Sequence, residues 1–351
     1  MLGRLLLAWL AVSVAFGQSG AGSEAAPAAA EQTQYAGERG TSPIRVEVDE
    51  VIVPVSVTDE KGRFVTNLHK EDFTIFDQGV EQEITFFSAE HNQPIVIGFL
   101  IEQSNTIRLR WKRFQEAAIE LVLALMPEDP RFSGYLISYS NEPELLVNTT
   151  WEPGPILDAI REMKPGGGAA LFDAIYMACT SRQLVEGEPI EPRRVLIIMG
   201  DGHDNASSRT LEEAIEVAQR NLVTIYGIST VAFEFHGEEE SNLVRLARET
   251  GGRVEYPLDD IYDDVAGYLS KPQDAGNYAL TVGTGSYTSH LAERLFETIA
   301  ALTGDITTRY ILRYRPTAAD DDPSVFRKIR VVVNLPNVKV RHRNGYYPYA
   351  P

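Results

Sequence analysis

The sequence predicts an α/β protein: a doubly wound, mostly parallel sheet flanked by helices, with a small flanking β domain assembled from N- and C-terminal segments. Three observations lead there. Ile95-Val96-Ile97-Gly98-Phe99-Leu100-Ile101 is an unbroken apolar run with several β-branched residues, the pattern of a strand buried on both faces beneath helices. Between residues 93 and 270, runs of this kind alternate with stretches of helical spacing, which gives a doubly wound sheet. Short β-patterned runs lie near both ends, and residues 44–90 are too few for a rich core of their own.

Residues 1–17 read as a secretory signal peptide: Arg4 supplies the positive charge, residues 5–16 are apolar, and Ala15-Phe16-Gly17 offers small residues for cleavage before Gln18. The alternative is an uncleaved anchor. No later run has the length of a membrane helix, so no membrane span is expected after cleavage. Residues 18–43 are Ala-, Gly-, Ser-, Glu- and Gln-rich with few large apolar groups, which predicts a disordered linker. The location implied is secreted or periplasmic.

In residues 44–90, alternation over 45–58 predicts a half-buried strand, with Pro54 marking an edge or a break. Phe73-Thr74-Ile75-Phe76, the turn Asp77-Gln78-Gly79 and the return strand at 83–88 form a hairpin. In residues 93–270, the apolar strand is followed by a helix over 106–126, carried by Trp111, Phe114, Leu121, Val122 and Leu125. Strands are expected over 131–139, 193–199, 222–228 and 253–256, and helices over 155–163, 169–185, 208–221 and 238–250. Thr250-Gly251-Gly252 ends the last of these helices. Residues 259–270 could be helical, and 271–288 form a Gly-rich loop. The C-terminal part, 289–351, holds a helix over 289–302 and strands at 310–314, 327–335 and 338–341. Its strands are expected to pair with the N-terminal β segment.

The net charge of −18 argues against a nucleic-acid or anionic-membrane partner, since neither is attracted to an acidic surface. The single Cys179 excludes an intramolecular disulfide. Its apolar helical setting suits a small buried hydrophobe.

Chemistry gathers where the apolar strand ends. Glu102, Ser104 and Thr106 stand at alternate positions after it, and the strand at 193–199 ends in Gly200-Asp201-Gly202-His203-Asp204-Asn205. If the two strands are neighbours, Asp201 emerges beside Glu102 and Ser104, with the loop from Gly166 to Asp173 on a third side. Oxygen ligands at a strand edge suit a hard divalent cation, Mg²⁺ or Ca²⁺. The bland reading is that Ser104 and Thr106 cap the following helix while Asp201 and Asp204 order a turn. Asp173 is expected to brace its loop, and His203 to be an exposed loop residue. No phosphate loop, zinc-protease motif or nucleophile elbow occurs.

Several motifs together resemble a known family. They are VPVSVTDEKGRFVTNLHKEDFTIFDQGVEQEITFFS near the start, GGGAALFDAI, RRVLIIMGDGHDN and LARETGGR in the middle, and YILRYRP, FRKIRVVV and VRHRNGYY near the end. The chain resembles a von Willebrand factor type A (VWA) domain protein, of the VWFA-related family described mainly from acidobacteria. The resemblance implies a Rossmann-like sheet carrying a metal-ion-dependent adhesion site, MIDAS. That site uses an Asp-x-Ser-x-Ser stretch, a loop Thr and an Asp before Gly. Here Glu102 stands at the Asp position, Ser104 and Thr106 keep the hydroxyls, Ala169 replaces the loop Thr, and Asp201 is retained. Glu in place of Asp shifts the carboxylate by one methylene, which Mg²⁺ with its strict octahedron tolerates poorly.

These features describe a non-enzymatic, adhesion-like interaction module with a degenerate metal site and a protein partner. The metal set is Glu102, Ser104, Thr106 and Asp201, binding Mg²⁺ (or Ca²⁺ or Mn²⁺) weakly or not at all. Two alternatives are an extracytoplasmic hydrolase using Glu102 and Asp201 as paired carboxylates, and a structural envelope protein with an inactive site.

Overall fold

The computed structural model describes residues 50–89, 94–127, 129–180, 193–229, 242–256, 285–307, 309–317, 322 and 324–348. The expected signal peptide, the linker, the helix at 259–270 and residues 271–284 of the expected loop lie outside them.

The central sheet grows from β5 (Ile95–Glu102), which is buried at every position. Parallel neighbours flank it: β6 (Phe132–Tyr139) on one side and β8 (Arg193–Gly200) on the other. Beyond β8 lie β9 (Val223–Ser229) and the short β10 (Val254–Glu255), also parallel. Beyond β6 lies β7 (Pro143–Thr150), antiparallel and with no fully buried position. Its partly exposed pattern lacks the apolar run that marked the other strands, and the sequence reading missed it. The order is β10-β9-β8-β5-β6-β7.

Alternate residues of β5 feed opposite cores. Ile95, Ile97, Phe99 and Ile101 pack with α1 (Trp111–Leu125), α2 (Pro153–Glu162) and α6 (Gly285–Thr307). Val96 and Leu100 pack with α3 (Leu171–Thr180), α4 (Leu211–Arg220) and α5 (Asn242–Thr250). A Cβ on Gly98 would lie 2.5 Å from both Leu196 Cδ2 and the Tyr135 hydroxyl, so the helix-side packing there requires glycine. The helix expected from residue 106 opens as a 3₁₀ turn, Asn105–Arg110, before α1 begins. The helix expected from residue 289 begins earlier, at Gly285.

A β sandwich joins strands from both sides of this core. One sheet has the order β13-β1-β11-β4, and the other β14-β12-β2-β3. These strands are β1 (Val51–Asp59), β2 (Phe73–Asp77), β3 (Val80–Gln82), β4 (Ile84–Ser88), β11 (Tyr310–Tyr314), β12 (Arg327–Val333), β13 (Val338–Arg341) and β14 (Gly345–Tyr346). Val53, Val55, Ile75, Leu312 and Val331 fill the space between the sheets. β1 is continuous through Pro54: it pairs with β11 over Val51–Val55 and with β13 over Ser56–Asp59. Pro54 therefore sits in the half with a single partner strand, where a missing N–H is tolerated. The hairpin returns earlier than the expected 83–88. β3 completes the hairpin with β2, while β4 crosses to the other sheet and pairs with β11.

Two buried carboxylates hold this arrangement. Asp77 accepts hydrogen bonds from Tyr314 and Tyr346 hydroxyls at 3.0 Å each and from Arg327 Nε at 3.1 Å, linking strands of both sandwich sheets. Asp305, on α6, is fully buried and meets Arg341 of β13 at 3.0 Å and Arg309 at 3.5 Å. Arg309 also donates to Gly251 O and to the Tyr226 hydroxyl. Burial opposes the charge on Asp305, but Arg309 and Arg341 outweigh it and hold the carboxyl well below its usual range.

Replacing Asp77 by Ala strands a buried guanidinium and two hydroxyls. The expected loss is about 3–5 kcal/mol, read as a lowered urea midpoint; a change under 1 kcal/mol () would refute the assignment. His342 gives a pH signature. Val331 N–H donates to its Nε2 at 3.1 Å, so Nδ1 carries the proton and faces Arg343 O at 2.6 Å. Burial lowers its pKa below the ordinary value. The unfolded chain therefore takes up the proton first as pH falls below about 6.5, and stability declines by at most about 1.4 kcal/mol per pH unit down to the folded pKa. His342→Gln should flatten this slope between pH 6.5 and 5; identical profiles would exclude the effect.

Candidate functional site

The sheet order reverses direction at β5 and β8, since the chain leaves β5 toward β6 and leaves β8 toward β9. Ligands of open α/β sheets bind in the crevice outside the strand ends at such a switch point. Glu102 ends β5, Ser104 lies in the bend after it, and Asp201 follows the last residue of β8. The structure thus brings three of the four expected residues together. Thr106 lies in the 3₁₀ turn, and its side chain is outside the described residues.

Glu102 is fully buried and Ser104 nearly so. The Ser104 hydroxyl donates to Glu102 Oε1, and Asp201 N–H donates to Oε2 at 2.8 Å. Ser104 therefore binds the carboxylate. Gly200 makes the room for this. A Cβ there would lie 2.4 Å from Glu102 Oε2 and 2.4 Å from the Tyr139 hydroxyl. Tyr139, opposite Glu102 in the β5–β6 register, has a buried hydroxyl with no hydrogen-bond partner among the described residues. Burial, then the nearby charges of Glu102, Asp201 and Asp204, push its pKa far upward. It stays a neutral phenol at any physiological pH.

The surrounding loops are laced to one another. Gly166 N–H donates to Gln103 O at 2.5 Å, and Asn105 N–H donates to Gly167 O at 3.1 Å. Asn141 Oδ1 accepts from Gly168 N–H, and Asn205 Oδ1 accepts from Ala169 N–H. Gly167 has φ +94°, a conformation that favours glycine. Asp204 accepts from Phe172 N–H at 2.9 Å and from the Ser207 hydroxyl at 2.6 Å, so it serves the first turn of α3. Asp173 accepts from Ser208 and Arg209 N–H groups and ties α3 to the loop before α4. His203 is exposed, and its N–H donates to Asp201 Oδ1 at 2.7 Å. The sequence reading missed Tyr139, Asn141 and Gly200. Their signal was positional: Tyr139 and Gly200 end the strands on either side of β5.

A divalent cation fits these residues poorly. Each Glu102 oxygen already takes a protein donor inside the fold, and Ala169 offers a buried methyl group where the loop hydroxyl would stand. Asp201 Oδ2 is the carboxylate oxygen of the pair that takes no protein hydrogen bond among the described residues. Among those residues, no group of three or more His, Cys, Asp or Glu comes together. An octahedral shell of six oxygens would have to be mostly water.

A doubly wound sheet in this order, with an antiparallel edge and an acidic, hydroxyl-bearing stretch leaving its central strand, is a VWA-type fold. No protein-family model and no curated protein matches the sequence. Solved structures similar to this chain include proximal thread matrix protein 1 from the mussel byssus, at 12% identity over 66% of this chain and 51% of that one, TM-score 0.43. A second structure of that protein, with a zinc-occupied MIDAS motif, aligns at 15% identity over 48% of this chain and 43% of that one, TM-score 0.39. The vWF domain of the pilus tip protein Mfa5 from Porphyromonas gingivalis aligns at 16% identity over 51% of each chain, TM-score 0.30. This chain therefore spans about half of the mussel protein chains it matches.

The two buried polar groups differ in what they contribute. Tyr139→Phe removes an unpartnered hydroxyl and should leave stability within about 1 kcal/mol of wild type or raise it. Glu102→Ala strands the Ser104 hydroxyl and Asp201 N–H and should cost about 3 kcal/mol. Equilibrium unfolding of both variants checks the contrast, and a larger loss from the tyrosine change would reverse the assignment.

Proposed function

We propose that the chain works outside the cytoplasm as an adhesion-like protein-interaction module, with the loops at the β5–β8 switch point as its partner-facing surface. The observation that carries this reading is the convergence of Glu102, Ser104 and Asp201 at that edge, under loops fixed by Asn141 and Asn205. Asn105, His203, Asn205 and Ser208 are exposed around it and supply side chains for a protein partner. The extracytoplasmic location rests on the leader pattern of residues 1–17.

In this reading the site is a MIDAS converted toward a self-contained polar plug. Glu102 is satisfied from within, so a divalent ion gains little by entering. Metal binding is weak or absent, and partner recognition does not depend on it.

Thermal unfolding with Mg²⁺, Mn²⁺ and Ca²⁺ up to 5 mM tests the metal part. A dissociation constant at or above 5 mM limits the stabilisation to about 0.4 kcal/mol. The double variant Glu102→Asp/Ala169→Thr, which restores the shorter carboxylate and the loop hydroxyl, should gain a saturable response. Wild-type stabilisation well above that limit and abolished by Asp201→Ala would overturn the weak-metal reading. For the interaction part, partner capture should survive EDTA and fail in a His203→Glu/Asn205→Arg variant; capture unaffected by that variant would move the surface elsewhere.

A further inference from the structure

A cavity of about 400 Å³ opens where α5 and β10 of the central sheet meet β13 of the sandwich. It is distinct from the switch-point loops. Its polar wall includes Arg253, Arg341, Arg248 and Asn344, and its apolar wall includes Val254 and Val340. Volumes of this size suit small ligands or short peptide ends.

The lining of this cavity carries Arg248, Arg253 and Arg341 and no carboxylate. Glu249, Glu255 and Asp305 pair with these arginines from outside the lining. The chain as a whole carries −18. Cations concentrated in a concave, partly apolar site hold an anion more strongly than the same charges spread on a surface.

The arginines are also short of acceptors. Arg253 Nε lies 2.7 Å from Glu255 Oε1, but out of line for a hydrogen bond. Among the described residues, its Nε and Nη2 are buried without an acceptor, and so is Arg341 Nε. Arg341 Nη2 is committed to Asp305 Oδ1 at 3.0 Å. Both side chains keep partial exposure, 21% and 26%. Those three nitrogens are closed to solvent, so a ligand meets the two guanidinium groups at their remaining, partly exposed atoms, and a planar oxyanion pairs well with groups of this kind. His342 cannot serve as a second cation, because its Nε2 accepts from Val331.

We propose that this cavity is a carboxylate-binding pocket, in which Arg253 and Arg341 hold the anion and Val254 and Val340 hold a short apolar group attached to it. The ligand is a small apolar acid or the C-terminal end of a peptide. The apolar wall disfavours a bare, strongly hydrated inorganic anion.

Calorimetric titration of the full chain at low salt tests this with sodium hexanoate, the tripeptide acetyl-Ala-Val-Leu as free acid and as amide, and inorganic phosphate. Hexanoate and the free acid should bind in competition, with the amide at least 10-fold weaker than the free acid. A free acid 10-fold tighter than hexanoate identifies a peptide end as the source, and equal or weaker binding identifies a small acid. Arg253→Met should weaken both by 10-fold or more. Asn344→Asp, which adds a negative wall without touching an ion pair, should weaken them several-fold with an unchanged melting temperature. No carboxylate binding at millimolar concentration, phosphate as tight as hexanoate, or affinity unchanged in both variants would overturn the proposal.

Discussion

The carboxylate of Asp305 ties the α/β sheet to the β sandwich. It sits on α6, fully buried, between Arg309 at the entry to β11 and Arg341 on β13. Arg309 in turn reaches Tyr226 of β9 and the carbonyl of Gly251 after α5. A buried charge is tolerable only when it is paired, and removing one partner leaves the rest uncompensated. The network therefore fixes the relative placement of α6, β9, the α5 end and β13. The arginine-lined cavity lies beside this joint, so its shape is set by contacts the fold requires anyway.

At the switch-point edge the same economy of buried polar groups applies with an opposite result. Glu102 has been drawn into the protein, where a hydroxyl and a backbone N–H satisfy it. Asp204 and Asp173 are occupied with the first turn of α3 and the loop before α4, the bracing roles their positions suggest. On the proposed reading, what remains for a partner is a rim of exposed polar side chains on a loop cluster tied by backbone and asparagine hydrogen bonds. A surface of that kind recognises by shape and hydrogen bonding, and its geometry is held by glycines whose missing side chains let strands and loops approach.

Much of this was legible in the sequence because buried parallel strands announce themselves as apolar runs. β5, β8 and β9 were readable that way, and the convergence of Glu102, Ser104 and Asp201 followed from treating β5 and β8 as neighbours. β7 was not readable, because an edge strand with partly exposed positions lacks that run. The β3–β4 division was hidden for a related reason: the local pattern puts the return strand at 83–88, and only the tertiary partners show that 80–82 closes the hairpin while 84–88 pairs with β11. The inward turn of Glu102 depends on space beside Gly200, and the unpaired Tyr139 hydroxyl depends on register with β5. The arginine cavity depends on residues 253 and 341 meeting across the fold, which no local pattern encodes.

The sandwich has a consequence for how the chain matures. β1, β2 and β4 are made early, yet their partners β11, β12 and β13 arrive more than two hundred residues later. Contacts so distant in sequence form slowly, since the intervening chain must first be closed into a loop. Until the central sheet and α6 have folded, the valine-rich β1 has no partner on either side. A chain cut short before β11 would keep that strand exposed, a ready template for association with other copies. The segment that carries β11, β12 and β13 thus acts as a completion check: its arrival seals the hydrophobic edge that β1 has carried since it was made.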